Sequence, residues 1–261
     1  MMLEGRIALV TGSTQGIGAA IARALARQGA ALALHGLCSE EEGRSQAEVL
    51  AREHGVACEF FPGDLADGVQ ADALVARVHQ RWGRLDVLVN NAGIQHTAPV
   101  AEFPPEKWDA ILAINLTAPF RLVRQAVPLM RAGGWGRIVN IASVHGLVAS
   151  VNKAAYCAAK HGLVGLTRVV ALETAREGIT VNAVCPGWTE TPILEPQIQA
   201  RAAAKGLDRE QAIRDLVTEK QPNGILMPAA WIADTVVFLC SEAATGITGA
   251  ALPVDGGWTA Q

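Results

Sequence analysis

Tyr156 and Lys160 stand four positions apart in the run Tyr156-Cys157-Ala158-Ala159-Lys160, and Tyr156 is the sole tyrosine of the 261-residue chain. On a helix this spacing puts both side chains on one face, about one turn apart. A free phenol titrates near ~10, and a close positive charge lowers that by roughly 1–3 on the pH scale. The pair is therefore expected to give and take a proton near neutral pH. Ultraviolet titration of the one phenol is expected to show a midpoint below that of a free phenol.

Lys153 extends the set, because 153, 156 and 160 are spaced i, i+3, i+7 on one helix face. A lysine beside a buried site calls for an anionic partner. One ammonium tunes the phenol, and the other suits a small carboxylate about a turn away. Ser143 follows the apolar run Arg137–Ile141 and emerges at its end, and His145, two residues on, can point into the same space. Each residue alone has an ordinary structural reading. A lone serine or asparagine in a loop is usually a cap or a turn residue, Lys153 can be a solvated helix-end lysine, and His145 a loop histidine. The set as a whole carries the chemistry.

The elements that position these residues are legible in the hydrophobic pattern. Arg6–Thr11, Ala31–His35, Ala57–Phe61, Asp86–Asn90, Gly136–Ile141, Thr180–Cys185 and Ala250–Val254 read as strands. Most are nearly continuous apolar runs, as a parallel sheet covered on both faces requires. Gly16–Gln28, Glu41–Glu53, Ala66–Trp82, Lys107–Arg131, Asn152–Arg176 and Pro228–Ser241 read as helices. The alternation predicts a single α/β domain over 1–261, Rossmann-like and doubly wound, with a seven-stranded parallel sheet and helices on both faces. One stretch, 189–223, breaks the alternation. It is polar, carries Pro192, Pro196 and Pro222, and starts just past a strand end, so it reads as a substrate lid.

Half the residues are hydrophobic and 18% are charged, enough apolar material for a large core. A net charge of −3 offers nothing to nucleic acid or an anionic membrane. The N-terminus shows no basic region followed by an apolar core, and no run is long enough to span a bilayer. Five scattered cysteines (Cys38, Cys58, Cys157, Cys185, Cys240) show no metal-binding spacing and read as reduced thiols in a cytoplasmic protein. No metal site is expected.

The first strand runs into Thr11-Gly12-Ser13-Thr14-Gln15-Gly16-Ile17-Gly18, with an alanine-rich helix pattern at once behind it. Glycines there permit a tight turn and close approach of a pyrophosphate to a helix N-terminus. The spacing is G-x-x-x-G-x-G, unlike the commoner dinucleotide fingerprint. The second strand ends His35-Gly36-Leu37, with neither an acid for a ribose 2′-hydroxyl nor an arginine for a 2′-phosphate. Glu40-Glu41-Glu42 would repel an extra phosphate, which favours NAD over NADP, with Leu37 covering the adenosine.

Together with Asp64, Asn90-Asn91-Ala92-Gly93, Asn115, Ser143, Tyr156-x-x-x-Lys160 and Pro186-Gly187, these motifs make the whole chain resemble the short-chain dehydrogenases/reductases. The resemblance implies a catalytic set of Asn115, Ser143, Tyr156 and Lys160. Tyr156 would exchange a proton with the substrate oxygen, and Ser143 would bond that oxygen. Lys160 would lower the phenol and hold the nicotinamide ribose, and Asn115 would steady a water. It implies that Gly12 to Gly18, Gly36, Leu37, Asp64, Leu65, Asn91, Ala92, Gly93, Pro186, Gly187, Trp188 and Thr189 flank the dinucleotide. It also implies a homotetramer packed through the two long helices.

Within that family the chain is similar to the group acting on D-3-hydroxybutyrate. The segments that carry this likeness are Gly93–Thr97, Ala142–Ser150, Lys153, Glu219–Pro222 and Asp255–Trp258. This implies that Gln95, His145, Lys153 and Gln197 grip a substrate carboxylate while Trp188 and Trp258 wall off its methyl end. The expected reaction is reversible NAD-dependent oxidation of (R)-3-hydroxybutyrate to acetoacetate. A thioester-linked 3-oxoacyl reductase of the same family is the second reading. A non-catalytic NAD-binding scaffold is the third, disfavoured because both the tyrosine and the lysine are present.

Overall fold

The computed structural model describes residues 1–260. Seven parallel strands form one sheet in the order β3-β2-β1-β4-β5-β6-β7. They are β1 Ile7–Val10, β2 Ala31–Gly36, β3 Cys58–Pro62, β4 Val87–Asn90, β5 Gly136–Ile141, β6 Ile179–Pro186 and β7 Ala251–Val254. All seven expected strands are present, and the fold is the doubly wound α/β architecture expected.

Side-chain alternation along each strand explains why the runs are apolar throughout. Ala8, Val10, Leu32, Leu34, Val87 and Val89 join one core layer, with Ile21 and Leu25 of α1 (Gly16–Arg27), Leu50 of α2 (Glu40–His54) and Ile232 and Val236 of α9 (Ala229–Cys240). Leu9, Ala33, Leu88 and Ile138 join the other, with Leu74 and Val78 of α3 (Gly68–Trp82), Leu122 and Met130 of α5 (Ala118–Ala132) and Val170 of α6 (Ala154–Thr174). Neighbouring residues of one strand thus feed opposite layers. Each fully buried Leu, Ile or Val contributes roughly 1.5–3 kcal/mol relative to exposure.

The acidic run Glu40-Glu41-Glu42 has a local role. It fills the first turn of α2 behind the Ser39 cap, where carboxylates complement the helix dipole. The expected helix over 107–131 begins earlier, at α4 (Pro105–Leu112), and passes through a π-helical segment, Ala113–Thr117, into α5. Wide turns of this kind often mark functional positions, and this one contains Asn115.

A polar chain ties the sheet to α6. Asn90 Nδ2, at the end of β4, donates to Asn140 Oδ1 on β5 at 2.8 Å; Asn140 Nδ2 donates to Thr167 Oγ1 on α6 at 2.8 Å. The Thr167 hydroxyl donates to the Leu163 carbonyl at 2.8 Å. Asn140 and Thr167 are fully buried, so losing one member would strand its partner at a cost of about 1–3 kcal/mol.

The stretch 189–223 is more regular than its sequence suggests, with α7 (Glu195–Lys205) and α8 (Arg209–Thr218) inside it. Gly206, at φ 64°, ends α7, and Asp208 with Gln211 forms a capping box that starts α8. Their apolar faces, Ile198, Ala212 and Leu216, pack on Trp188 and Trp258. Gln221 fastens both feet of the excursion. Its Oε1 accepts the Trp188 N–H at 2.9 Å, and its Nε2 donates to Asn223 Oδ1 at 3.2 Å and to the Ile225 carbonyl.

Candidate active site

A cleft of about 340 Å³ opens at the carboxyl ends of the strands, beside the reversal of strand order at β1 and β4. At one end it is lined by Gly12, Thr14, Gln15, Gly16, Ile17, Gly36, Leu37, Asp64, Leu65, Asn91, Ala92 and Gly93. At the other it is lined by Gln95, Ser143, His145, Lys153, Tyr156, Lys160, Pro186, Gly187, Trp188, Thr189, Gln197 and Trp258. Three expected residues, Ser13, Gly18 and Asn115, do not line it.

Each of the three has another job. The Ser13 hydroxyl is buried and accepts the His35 N–H at 2.9 Å, tying the glycine loop to β2. The Asn115 carboxamide is spent on one residue: Oδ1 accepts the Ile94 N–H at 2.9 Å and Nδ2 donates to the Ile94 carbonyl at 2.9 Å. That bond pair holds the loop carrying Gln95, so the Asn115 side chain is a positioning group.

Gly18 packs where a Cβ would collide with the Gly12 carbonyl oxygen and the Asn91 amide nitrogen. Because that oxygen is backbone, Gly18→Ala is expected to push the first turn of α1 off the loop. The expected loss is about 1–3 kcal/mol of stability, as for overpacking elsewhere. Dinucleotide affinity should fall at least roughly tenfold through displaced phosphate donors. Thermal denaturation and fluorescence titration with cofactor measure both; an unchanged pair of values would contradict this packing.

The glycine loop can hold a pyrophosphate. Gly12 and Gly16 have φ of 60° and 55°, and Gln15 caps α1 without a side-chain bond, so the first-turn N–H groups are not spent on a side chain. Asn91 braces the loop, its Nδ2 donating to the carbonyls of Thr11 at 2.9 Å and Gly12 at 3.0 Å. His35 was not singled out from sequence. Its Nδ1 accepts the Gly12 N–H at 3.4 Å, and its Nε2 faces the Gly63 carbonyl at 3.0 Å, which fixes the neutral tautomer. Burial holds it down to about 4, so it joins the two loops of Gly12 and Gly63 to β2 as an uncharged strut. The sequence signal was a histidine at the carboxyl end of an otherwise apolar strand.

At the other end, α6 and the loop before it set the reactive groups. Asn152 is the only described non-glycine residue with positive φ, at 64°, and its carbonyl accepts the Ala98 N–H at 3.0 Å. This strained turn sets Lys153 at the cap position of α6, one residue before the helix expected to contain it. Lys153 is 7% exposed, and its Nζ lies 5.0 Å from the Trp188 ring centroid. Among the described residues, no carboxylate reaches it. Burial lowers it to about 8.

Lys160 is buried and donates to the Ile141 carbonyl at 2.7 Å, with its Nζ 5.6 Å from the Tyr156 ring centroid. Burial lowers it to about 8 as well. The expected depression of the phenol is corrected. Burial pushes Tyr156 up to about 12, against a smaller downward pull from its bond with Ser143. Enclosure disfavours the phenolate more strongly than Lys160, committed to a main-chain carbonyl, favours it. The phenol therefore carries its proton at neutral pH.

His145 lines the cleft, but its ring nitrogens are engaged. Nδ1 faces the Ser143 hydroxyl at 3.3 Å and Nε2 the Ser150 hydroxyl at 2.9 Å. Burial holds it down to about 3, so it is neutral and would meet a carboxylate only as a hydrogen-bond donor. Trp188 and Trp258 pack at 5.4 Å between ring centroids, and Trp258 meets His145 edge-on at 5.5 Å. The Trp188 Nε1 is buried without a partner. Among the described residues no group of three His, Cys, Asp or Glu could hold a metal, and no helix is long and apolar enough to cross a membrane.

A family model described as Enoyl-(Acyl carrier protein) reductase matches residues 12–259. The D-beta-hydroxybutyrate dehydrogenase of Cupriavidus necator is 49% identical over 260 residues, covering 100% of both chains. The Rhizobium meliloti protein of the same name is 44% identical over 256 residues, covering 98% of this chain and 99% of that one. A solved variant of actinorhodin polyketide ketoreductase with NADPH superposes with a TM-score of 0.90 at 40% identity, covering 97% of each chain.

Proposed function

The chain belongs to the short-chain dehydrogenases/reductases, a family of oxidoreductases, and from that premise we propose that it oxidises (R)-3-hydroxybutyrate reversibly to acetoacetate with NAD. The observation that carries the substrate is Lys153, a buried ammonium on the Trp188 face that no carboxylate among the described residues neutralises. A buried cation without a partner is costly, and a substrate carboxylate would supply the missing charge. The two relatives named for this activity support the same reading.

In this mechanism a bound nicotinamide supplies the hydride acceptor. On reduction the Tyr156 phenol gives its proton to the substrate oxygen; on oxidation it first releases that proton to solvent, and the phenolate then takes the substrate hydroxyl proton. Ser143 donates to the same oxygen, and Lys160 stabilises negative charge as it develops on the phenol. Lys153, with Gln95 and Gln197, holds the carboxylate. Trp188 and Trp258 exclude water from the methyl end. The uncapped start of α1 and the close glycines would seat the pyrophosphate, with Asp64 and Leu65 beside the adenine. NAD is favoured because Arg44, the basic residue after β2, is already paired with Glu40. We further read α7 and α8 as a lid, and the protein as a cytoplasmic homotetramer. Exposed Phe120, Val169 and Leu172 on α5 and α6 would be covered by partner copies.

Initial rates with both hands of 3-hydroxybutyrate, each with NAD and NADP, test this. The (R)-acid with NAD should give the highest kcat/KM. The ketoreductase likeness favours a second reading, reduction of a 3-oxoacyl thioester with NADPH. Turnover of acetoacetyl thioester without turnover of free acid would select it.

A further inference from the structure

We propose that Ser150, outside the cleft, is a positioning residue that sets the tautomer of His145 and thereby frees the Ser143 proton for the substrate oxygen. The inference deepens the reading above and rests on its role for Ser143.

Three contacts carry it. Ser143 Oγ accepts the His145 main-chain N–H at 3.2 Å and lies 3.3 Å from His145 Nδ1. His145 Nε2 lies 2.9 Å from Ser150 Oγ. Ser143 and His145 are buried, so the polar atoms between them have little water to turn to. A neutral imidazole carries one proton, leaving two arrangements. With the proton on Nε2, the bare Nδ1 takes the Ser143 proton. Ser143 then faces away from the reacting oxygen. With the proton on Nδ1, Ser143 accepts two N–H bonds, and its own proton is the valence left to point into the cleft. The role proposed for Ser143 needs that proton on the substrate oxygen. A serine donating to the substrate oxygen cannot also donate to Nδ1. The imidazole must therefore hold its proton on Nδ1, and its bare Nε2 must receive one from Ser150.

Ser150 does not line the cleft. It acts through a ring that also packs edge-on against Tyr156 at 5.9 Å and against Trp258. The logic is that of any base oriented by a partner on its far nitrogen.

Nitrogen-15 NMR of histidine-labelled protein without substrate reads the tautomer directly, with the resonance assigned by its loss in His145→Gln. Wild type should carry the proton on Nδ1. Ser150→Ala should shift the ring toward the Nε2 form and lower kcat by roughly 10–100-fold, with KM for the hydroxy acid changed less than about threefold. Ser150→Thr, which keeps the hydroxyl, should restore both. An Nε2 proton in wild type, or a Ser150→Ala protein with tautomer and kcat unchanged, overturns the proposal. Ser143→Ala separates the two layers: if it stays active, the reading of Ser143 fails whatever the tautomer is.

Discussion

Tyr156→Phe is expected to lower kcat by roughly 10²–10⁴-fold, the range for loss of a positioned general acid or base. The substitution removes one oxygen and leaves the ring. Edge contact with His145 at 5.9 Å persists, so thermal stability and dinucleotide affinity should stay near wild type. The phenol is held up to about 12, so the acid form is present throughout the neutral range. Reduction of the keto acid therefore starts from a loaded proton donor. Oxidation needs the phenolate, which burial disfavours, so the phenol must first lose its proton and the charge on Lys160 is what stabilises the anion. Lys160 is lowered to about 8, so that charge is present below pH 8 and fades above it. Steady-state kinetics in both directions measure the effect. Activity of the phenylalanine variant within tenfold of wild type would remove Tyr156 from the chemistry.

The second large effect is expected at Lys153. Lys153→Ala should cost about 1.5–3 kcal/mol in kcat/KM for the free acid, the worth of a charge-assisted bond, or roughly 10–150-fold. A methyl ester of the same substrate offers no carboxylate and should lose less than about threefold by the same reasoning. The pH dependence has a definite sign. Burial lowers this ammonium from its ordinary value to about 8. The charge is thus complete well below pH 8 and is lost as pH rises through 8. The acid-to-ester ratio of kcat/KM should fall across that range in wild type and stay flat in the variant. Using the ratio cancels Lys160, which serves both substrates. Cys157 and His145 also lie within electrostatic reach of Lys153. His145 stays neutral above about 3, so it adds no step there. Equal losses on acid and ester would count against a carboxylate clamp.

Much of the scaffold was legible because a parallel sheet buried on both faces leaves little freedom in its strands. Neighbouring residues such as Ala8 and Leu9 feed opposite layers, so both must be apolar, and the run stands out. The glycine loop was legible for a similar reason, since backbone passing close to backbone tolerates no Cβ at Gly18. What stayed hidden depends on which of several partners a polar group chooses. Asn115 and Ser13 have side chains suited to ligands, and folding gives them to Ile94 and His35 instead. The direction of the Tyr156 shift was hidden too. Spacing reveals the nearby lysine, whereas the depth of enclosure that outweighs it is a property of packing. The two helices of 189–223 escaped because their apolar faces are narrow and are completed by Trp188 and Trp258.

The Asn90–Asn140–Thr167 chain has a consequence beyond the polar atoms it satisfies. Apolar helix faces can slip along a sheet by fractions of a turn at small cost, since one methyl contact replaces another. Hydrogen bonds at 2.8 Å do not slide. The carboxamide of Asn140 therefore indexes α6 lengthwise against β5, much as a dowel sets two machined parts, and Tyr156 and Lys160 ride on that helix. A core of pure hydrocarbon at these three positions could be as firm. It would leave the height of the phenol above the strand ends unspecified. A shift of one ångström there is enough to carry a proton donor out of reach of its acceptor.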